Sequence, residues 1–193
     1  LNKKIVQKIN IMGLNIKRLM IWLGIVALLL SIPLIAMQFT PEVNWDFTDF
    51  AIMGTILFGL GFAYELIASR SENTVYRTAF GVGLLGAFLL FWVNAAVGII
   101  GNEGQVANLL YAAVFIVGLA GALISRFKAR GMAYTLFTAA AVQMLVPTAA
   151  YFIWPPPETS WSPSVFGVFL MSGFFAVLFL LSGVLFNRAS RDS

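Results

Sequence analysis

RTAFGVGLLGAFLLFWVNAAVGIIGNE, residues 77–103, decides the fold. Between Arg77 and Glu103 no residue carries a charge. An apolar run of that length, rising about 1.5 Å per residue as a helix, crosses a hydrocarbon core about 30 Å thick. Its flanks differ in sign, basic at Arg77 and acidic at Glu103. Reading outward from it, the same kind of run recurs at about 17–38, 50–69, 106–125, 131–153 and 164–186, with this one placed at 78–100. The expected fold is all-α: a polytopic membrane bundle of six transmembrane helices, forming one domain over 17–188. A basic leader over 1–16 precedes it and a short tail over 189–193 follows.

The connections alternate in charge as the flanks of 77–103 do. Lys3, Lys4, Lys8, Lys17 and Arg18 precede the first run, Arg70 and Arg77 lie in the second connection, Arg126, Lys128 and Arg130 in the fourth, and Arg188 and Arg191 follow the last. Glu42, Asp46, Asp49, Glu103 and Glu158 occupy the remaining connections, which hold no Lys or Arg. Short loops retained in the cytoplasm are enriched in Lys and Arg, so this partition predicts both termini inside and an acidic outer face. Trp45, Trp154 and Trp161 then mark the outer boundary and Trp22 the inner one. The net charge of +4 follows from this sidedness. It points to anionic lipid headgroups at the inner face and not to nucleic acid. The first run reads as an uncleaved anchor with Pro33 near its outer end, and Met12 and Met20 are alternative starts for the chain.

Composition narrows the chemistry. At 60% hydrophobic and 10% charged, the chain departs from soluble domains, in which charged residues make up about a quarter. With no cysteine and no histidine, it lacks the donors of disulfides, thiolate catalysis, Cys/His zinc sites, iron–sulfur clusters and His-ligated haem. Neither a cofactor nor a metal is expected, and no enzyme constellation is recognisable.

Glu65 is the one acidic residue inside an apolar run. Intramembrane carboxylates are costly and mark proton or cation sites. At its shallow depth, next to Tyr64, Glu65 can instead form an interfacial ion pair with Arg70, Arg77 or Arg126, and that reading is preferred. Asn94 and Gln143 are the other strongly polar intramembrane side chains, each offering groups that lipid cannot satisfy. Interhelical hydrogen bonds are the preferred reading for both. A polar pocket formed with Trp92, Thr148 and Tyr151 is the alternative. Asn108 reads as a start signal for the fourth span, in a turn it caps together with Asn102, Glu103 and Gln105. GVGLLG at 81–86 matches the dinucleotide fingerprint by letter only, because no strand precedes it. Its glycines are expected to let helices approach closely, like Gly54, Gly59, Gly61, Gly118 and Gly121. GLGFAYELIASR (59–70) and GLAGALISR (118–126) suggest a duplicated helical hairpin.

The stretches AMQFTPEVNW (36–45), FAYEL (62–66), FWVNAAVGIIGNE (91–103), NLLY (108–111) and ARGMA (129–133) resemble a family of small uncharacterised bacterial membrane proteins. GFFAVLFLLSGVLFNR (173–188) fits its closing span. The resemblance implies a six-span protein of the bacterial inner membrane and carries no activity with it. The reading is therefore a non-enzymatic, multi-pass accessory or interaction protein. It sits in the lipid bilayer and forms a homo-oligomer or packs against a membrane partner through small-residue helix faces. The alternatives are a small transporter or channel using Glu65, Asn94 and Gln143, and a membrane enzyme acting on lipid through outer carboxylates such as Asp46 and Glu103.

Overall fold

Each apolar run of the sequence becomes a helix, for the reason that excludes other structures in lipid: a spanning backbone must satisfy its own hydrogen bonds. A computed structural model describes residues 16–41, 43–68 and 71–192, and these are helical with no strand among them. The spans are α1 (Ile16–Ala36), α2 (Phe47–Ile67), α3 (Thr74–Ala96), a 3-10 segment Val106–Tyr111 leading into α4 (Ala112–Ile124), α5 (Ala129–Ile153) and α6 (Val165–Ala189). Six are long and apolar enough to cross a membrane. The basic leader lies outside the described residues up to position 15.

Several boundaries differ from those the hydropathy predicts, and each has a local cause. The helix at 50–69 begins earlier, because Asp46 and Asp49 form a capping box. The Asp46 carboxylate accepts from the amides of Thr48 (2.7 Å) and Asp49 (3.0 Å), and Asp49 accepts from the Asp46 amide (2.9 Å). The helix at 78–100 runs instead from Thr74 to Ala96, with Asn73 as its cap accepting from Tyr76. The last four apolar residues, Val97–Ile100, leave the helix and turn back. The fourth span starts as a 3-10 segment, α5 takes in Ala129 and Arg130, and α6 continues to Ala189.

The chain divides into two compact units, residues 1–72 and 73–193. In the first, α1 and α2 pack antiparallel. Trp22 lies flat over Gly61, where an added Cβ would sit 2.5 Å from the indole, and Leu30 fills the space beside Gly54. Trp22 also meets Tyr64 at 6.1 Å between ring centroids. Only 6% of the α1 window is buried, so this helix leaves most of its apolar surface uncovered.

In the second unit α6 packs against α3 on one side and α5 on another, and α4 packs against α5. Small residues set the close contacts. Gly83 faces Ser182 and Gly86 faces Phe179 across α3 and α6, Gly183 faces the Phe137 ring across α5 and α6, and Gly121 faces Thr135 across α4 and α5. The glycines of GVGLLG thus serve helix approach. One end of the unit is tied by Tyr76. Its hydroxyl donates to the Phe127 carbonyl (2.6 Å), and its ring stands edge-on to Phe186 at 5.1 Å. The α4–α5 turn it holds carries two non-glycine residues with left-handed backbone, Arg126 (φ 51°) and Phe127 (φ 59°). That conformation costs roughly 1–2 kcal/mol per residue. Bonds from the Arg126, Phe127 and Lys128 amides to Leu123, Ala122 and Ser125 offset it. Arg77, Arg126, Lys128, Arg130 and Arg188 all belong to this end of the unit. Glu103 and Glu158 belong to the loops at the other, where Gly101 lies against the Ser160 carbonyl.

Candidate functional site

The polar groups inside the spans gather at three places, one in the first unit and two in the second. In the first, Arg18 and Trp22 lie one turn apart on α1, opposite Glu65 and Gly61 one turn apart on α2. The Arg18 guanidinium meets Glu65 Oε1 at 3.0 Å. Glu65 is 4% exposed, whereas the Arg18 side chain is 49% exposed and reaches outward. The carboxylate is buried, so its charge is stable there only with such a cation. Its partner in this contact is Arg18, 47 positions away, and not Arg70, Arg77 or Arg126, the expected partners. Of these, Arg70 lies outside the described residues, Arg126 is exposed on its turn, and Arg77 is half-buried with a buried Nε that makes no hydrogen bond.

The second place is organised by Asn108. Its side chain is 4% exposed and all four of its hydrogen-bonding positions are filled. Oδ1 accepts from the amides of Ile99 (3.1 Å) and Ile100 (2.9 Å), and Nδ2 donates to the carbonyls of Ile100 (3.0 Å) and Asn102 (2.7 Å). Gly98 (φ 71°) and Gly101 (φ 74°) supply the left-handed turns that fold 97–102 around this amide. A Cβ on Gly98 would collide with the Asn102 main chain. Asn94 joins from α3, its Nδ2 donating to the main-chain carbonyl of Asn108 at 3.2 Å. Asn108 is therefore not the N-cap of the fourth span, which is Gln105. It stands inside the 3-10 segment and closes the preceding loop.

The third place is the interior around α5. Gln143 has 0% exposure, and neither its Oε1 nor its Nε2 has a hydrogen-bond partner. Two buried side-chain hydrogen bonds connect elements of this unit. Tyr111 and Ser172 share a 2.7 Å hydroxyl–hydroxyl bond, and Ser182 donates to the Ala79 carbonyl at 2.7 Å. The structure brings Asn94 and Asn108 together and gives Gln143 no bond to either. The remaining pocket residues are engaged elsewhere. Trp92 stacks with Phe88, Thr148 donates to the Met144 carbonyl of its own helix, and Tyr151 stands edge-on to Trp161. Of the carboxylates expected on the outer face, Asp46 is occupied as a helix cap. Among the described residues no cluster of three or more His, Cys, Asp or Glu has metal-holding geometry.

No sequence signal marks Arg18, Tyr111, Ser172 or Ser182 as polar partners inside the spans. Arg18 looked like one more topological charge, and single hydroxyls in an apolar run carry no pattern. Comparison with protein families, with curated proteins and with solved structures gives no match for this chain.

Proposed function

We propose that this chain is a non-enzymatic, multi-pass protein of the bacterial inner membrane, with both termini in the cytoplasm, that acts by assembling with further copies of itself or with a membrane partner. Membership of the family of small six-span proteins that its motifs resemble is part of this proposal. The observation that carries it is the use of the polar intramembrane groups. Glu65 is neutralised by Arg18, Asn94 and Asn108 hold a loop, Tyr111 bonds Ser172, and Ser182 bonds α3. Groups engaged in helix and loop bonds are not free to bind or move a substrate.

Apart from the buried amide of Gln143, what remains available is surface. α1 exposes Met20, Ile21, Leu28, Ile32 and Ile35, and Gly24 on α1, Gly59 on α2, Gly118 on α4 and Gly173 on α6 have open space in front of them. Small residues let a helix backbone approach closely, the condition under which dispersion and weak main-chain contacts drive association in lipid. Extraction into native nanodiscs followed by mass measurement tests the proposal. A particle holding two or more copies, or one copy with a stoichiometric partner protein, is expected. A single copy with lipid alone, from a membrane expressing the chain at its natural level, overturns it.

A further inference from the structure

Gln143 is the one described side chain whose hydrogen-bonding atoms are all buried and all without a protein partner. In lipid no solvent repairs this, and each unmet group costs as much as a lost hydrogen bond or more. Four residues further along α5 stands Pro147, itself fully buried. Proline has no N–H, so the main-chain carbonyl of residue 143 lacks its normal helical donor. Residue 143 therefore carries three polar groups without their usual partners: an acceptor Oε1, a donor Nε2 and a carbonyl deprived of its i+4 amide.

A complementary surplus lies at the same height. The Tyr111–Ser172 bond uses one of two hydroxyl protons, and neither hydroxyl makes a second hydrogen bond. The register follows from the close contacts. Gly121 faces Thr135, and Gly183 lies 3.3 Å from the Ala133 carbonyl. Gln143, Ser172 and Tyr111 lie eight, eleven and ten residues from Thr135, Gly183 and Gly121, all toward the same end. At about 1.5 Å per residue they fall within about one helical turn of each other along the unit. All three side chains are fully buried, and both the 3-10 segment and α6 pack against α5.

We propose that Gln143 anchors an internal water-binding site between α5, α6 and the 3-10 segment. The occupant is a water molecule that accepts from Gln143 Nε2 and from the spare hydroxyl proton of the Tyr111–Ser172 pair. It donates to Gln143 Oε1 and to the residue 143 carbonyl. A buried water makes about three hydrogen bonds, within a range of two to four, and these groups provide four. Water entering the hydrogen-bond ladder beside a proline is also a recognised way for a helix to satisfy its freed carbonyl. The site is independent of the assembly proposed above, and its test does not read oligomeric state.

The test is water-edited solid-state NMR of the full chain in lipid bilayers, with H2O as the probe. The Gln143 side-chain amide is assigned through its own backbone. Magnetisation from water is expected at this amide at mixing times that leave neighbouring interior methyl groups dark. No transfer there overturns the site. Ser172→Ala is expected to reduce the transfer at least twofold, and unchanged transfer removes the hydroxyl pair from the site. Gln143→Met supplies the second arm. If water satisfies Gln143, the substitution lowers the thermal midpoint, by about 3 °C or more. If the amide is dry, removing two unmet polar groups raises it, and that result overturns the proposal.

Discussion

Asn108 closes the 97–102 loop with four hydrogen bonds from one side chain. One carboxamide accepts from two successive amides and donates to two carbonyls, so a single side chain does the work of a helical turn. Truncating it leaves the buried amides of Ile99 and Ile100 without acceptors in a region from which water is excluded. Asn108→Ala is therefore expected to cost about 2–4 kcal/mol, read as a shift in the unfolding midpoint in detergent titration. Asn108→Asp keeps the acceptor and loses both donors, and is expected to cost no less, because it also buries a charge. An Asn108→Ala variant as stable as the parent would show that the clasp contributes nothing. In the sequence this asparagine looked like a helix start, since Asn at the head of an apolar run is an ordinary cap. Only the positions of Gly98 and Gly101 hinted that the run before it turned back.

At the scale of the helix, contact is set by where glycine occurs, and the sequence marks glycines without marking their partners. Gly59 and Gly61 are two residues apart on α2 and equally plausible as packing positions. One faces open space and the other lies beneath Trp22. Gly61→Val is expected to force the indole aside and destabilise the α1–α2 hairpin by about 1–3 kcal/mol, whereas Gly59→Val is expected to change stability little. Unfolding midpoints in detergent titration read both, and equal responses from the two variants would contradict the packing described. Helix existence was legible because charge-free runs of about 20 residues permit little else. Helix ends were not legible from hydropathy, because Val97–Ile100 is as apolar as the helix it leaves. The start of α2 was legible in principle, from the Asp46–Asp49 spacing of a capping box. The Arg18–Glu65 pair was not, since it depends on the register of two helices whose relative rotation no local pattern fixes.

At the scale of the whole molecule, the alternation of charge along the chain is its most readable property. Within the second unit it appears as a basic end bearing Arg77, Arg126, Lys128, Arg130 and Arg188, and loops at the other end bearing Glu103 and Glu158. The proposed orientation places the basic end in the cytoplasm. The chain contains no cysteine, so an introduced one is the sole thiol to report. Glu158→Cys in intact cells is expected to react with a membrane-impermeant maleimide, and Arg191→Cys is expected to react only after lysis. The reverse pattern would invert the topology. Function was far less legible than fold class. Of the polar residues that stood out by rarity, Glu65 pairs with Arg18 and Asn94 donates to the Asn108 main chain, while Gln143 lacks the interhelical hydrogen bond expected of it, and the chemistry of such partners cannot be read from one position.

The Asn108 clasp also bears on how this chain tolerates change in length. Connections between helices are ordinarily where insertions accumulate, since a longer loop costs little closure entropy. Between 97 and 105 that freedom is lost. One added or deleted residue would move Ile99, Ile100 and Asn102 out of step with a single side chain that addresses all three. The segment is expected to be an indel-intolerant loop, its length held by the Asn108 clasp.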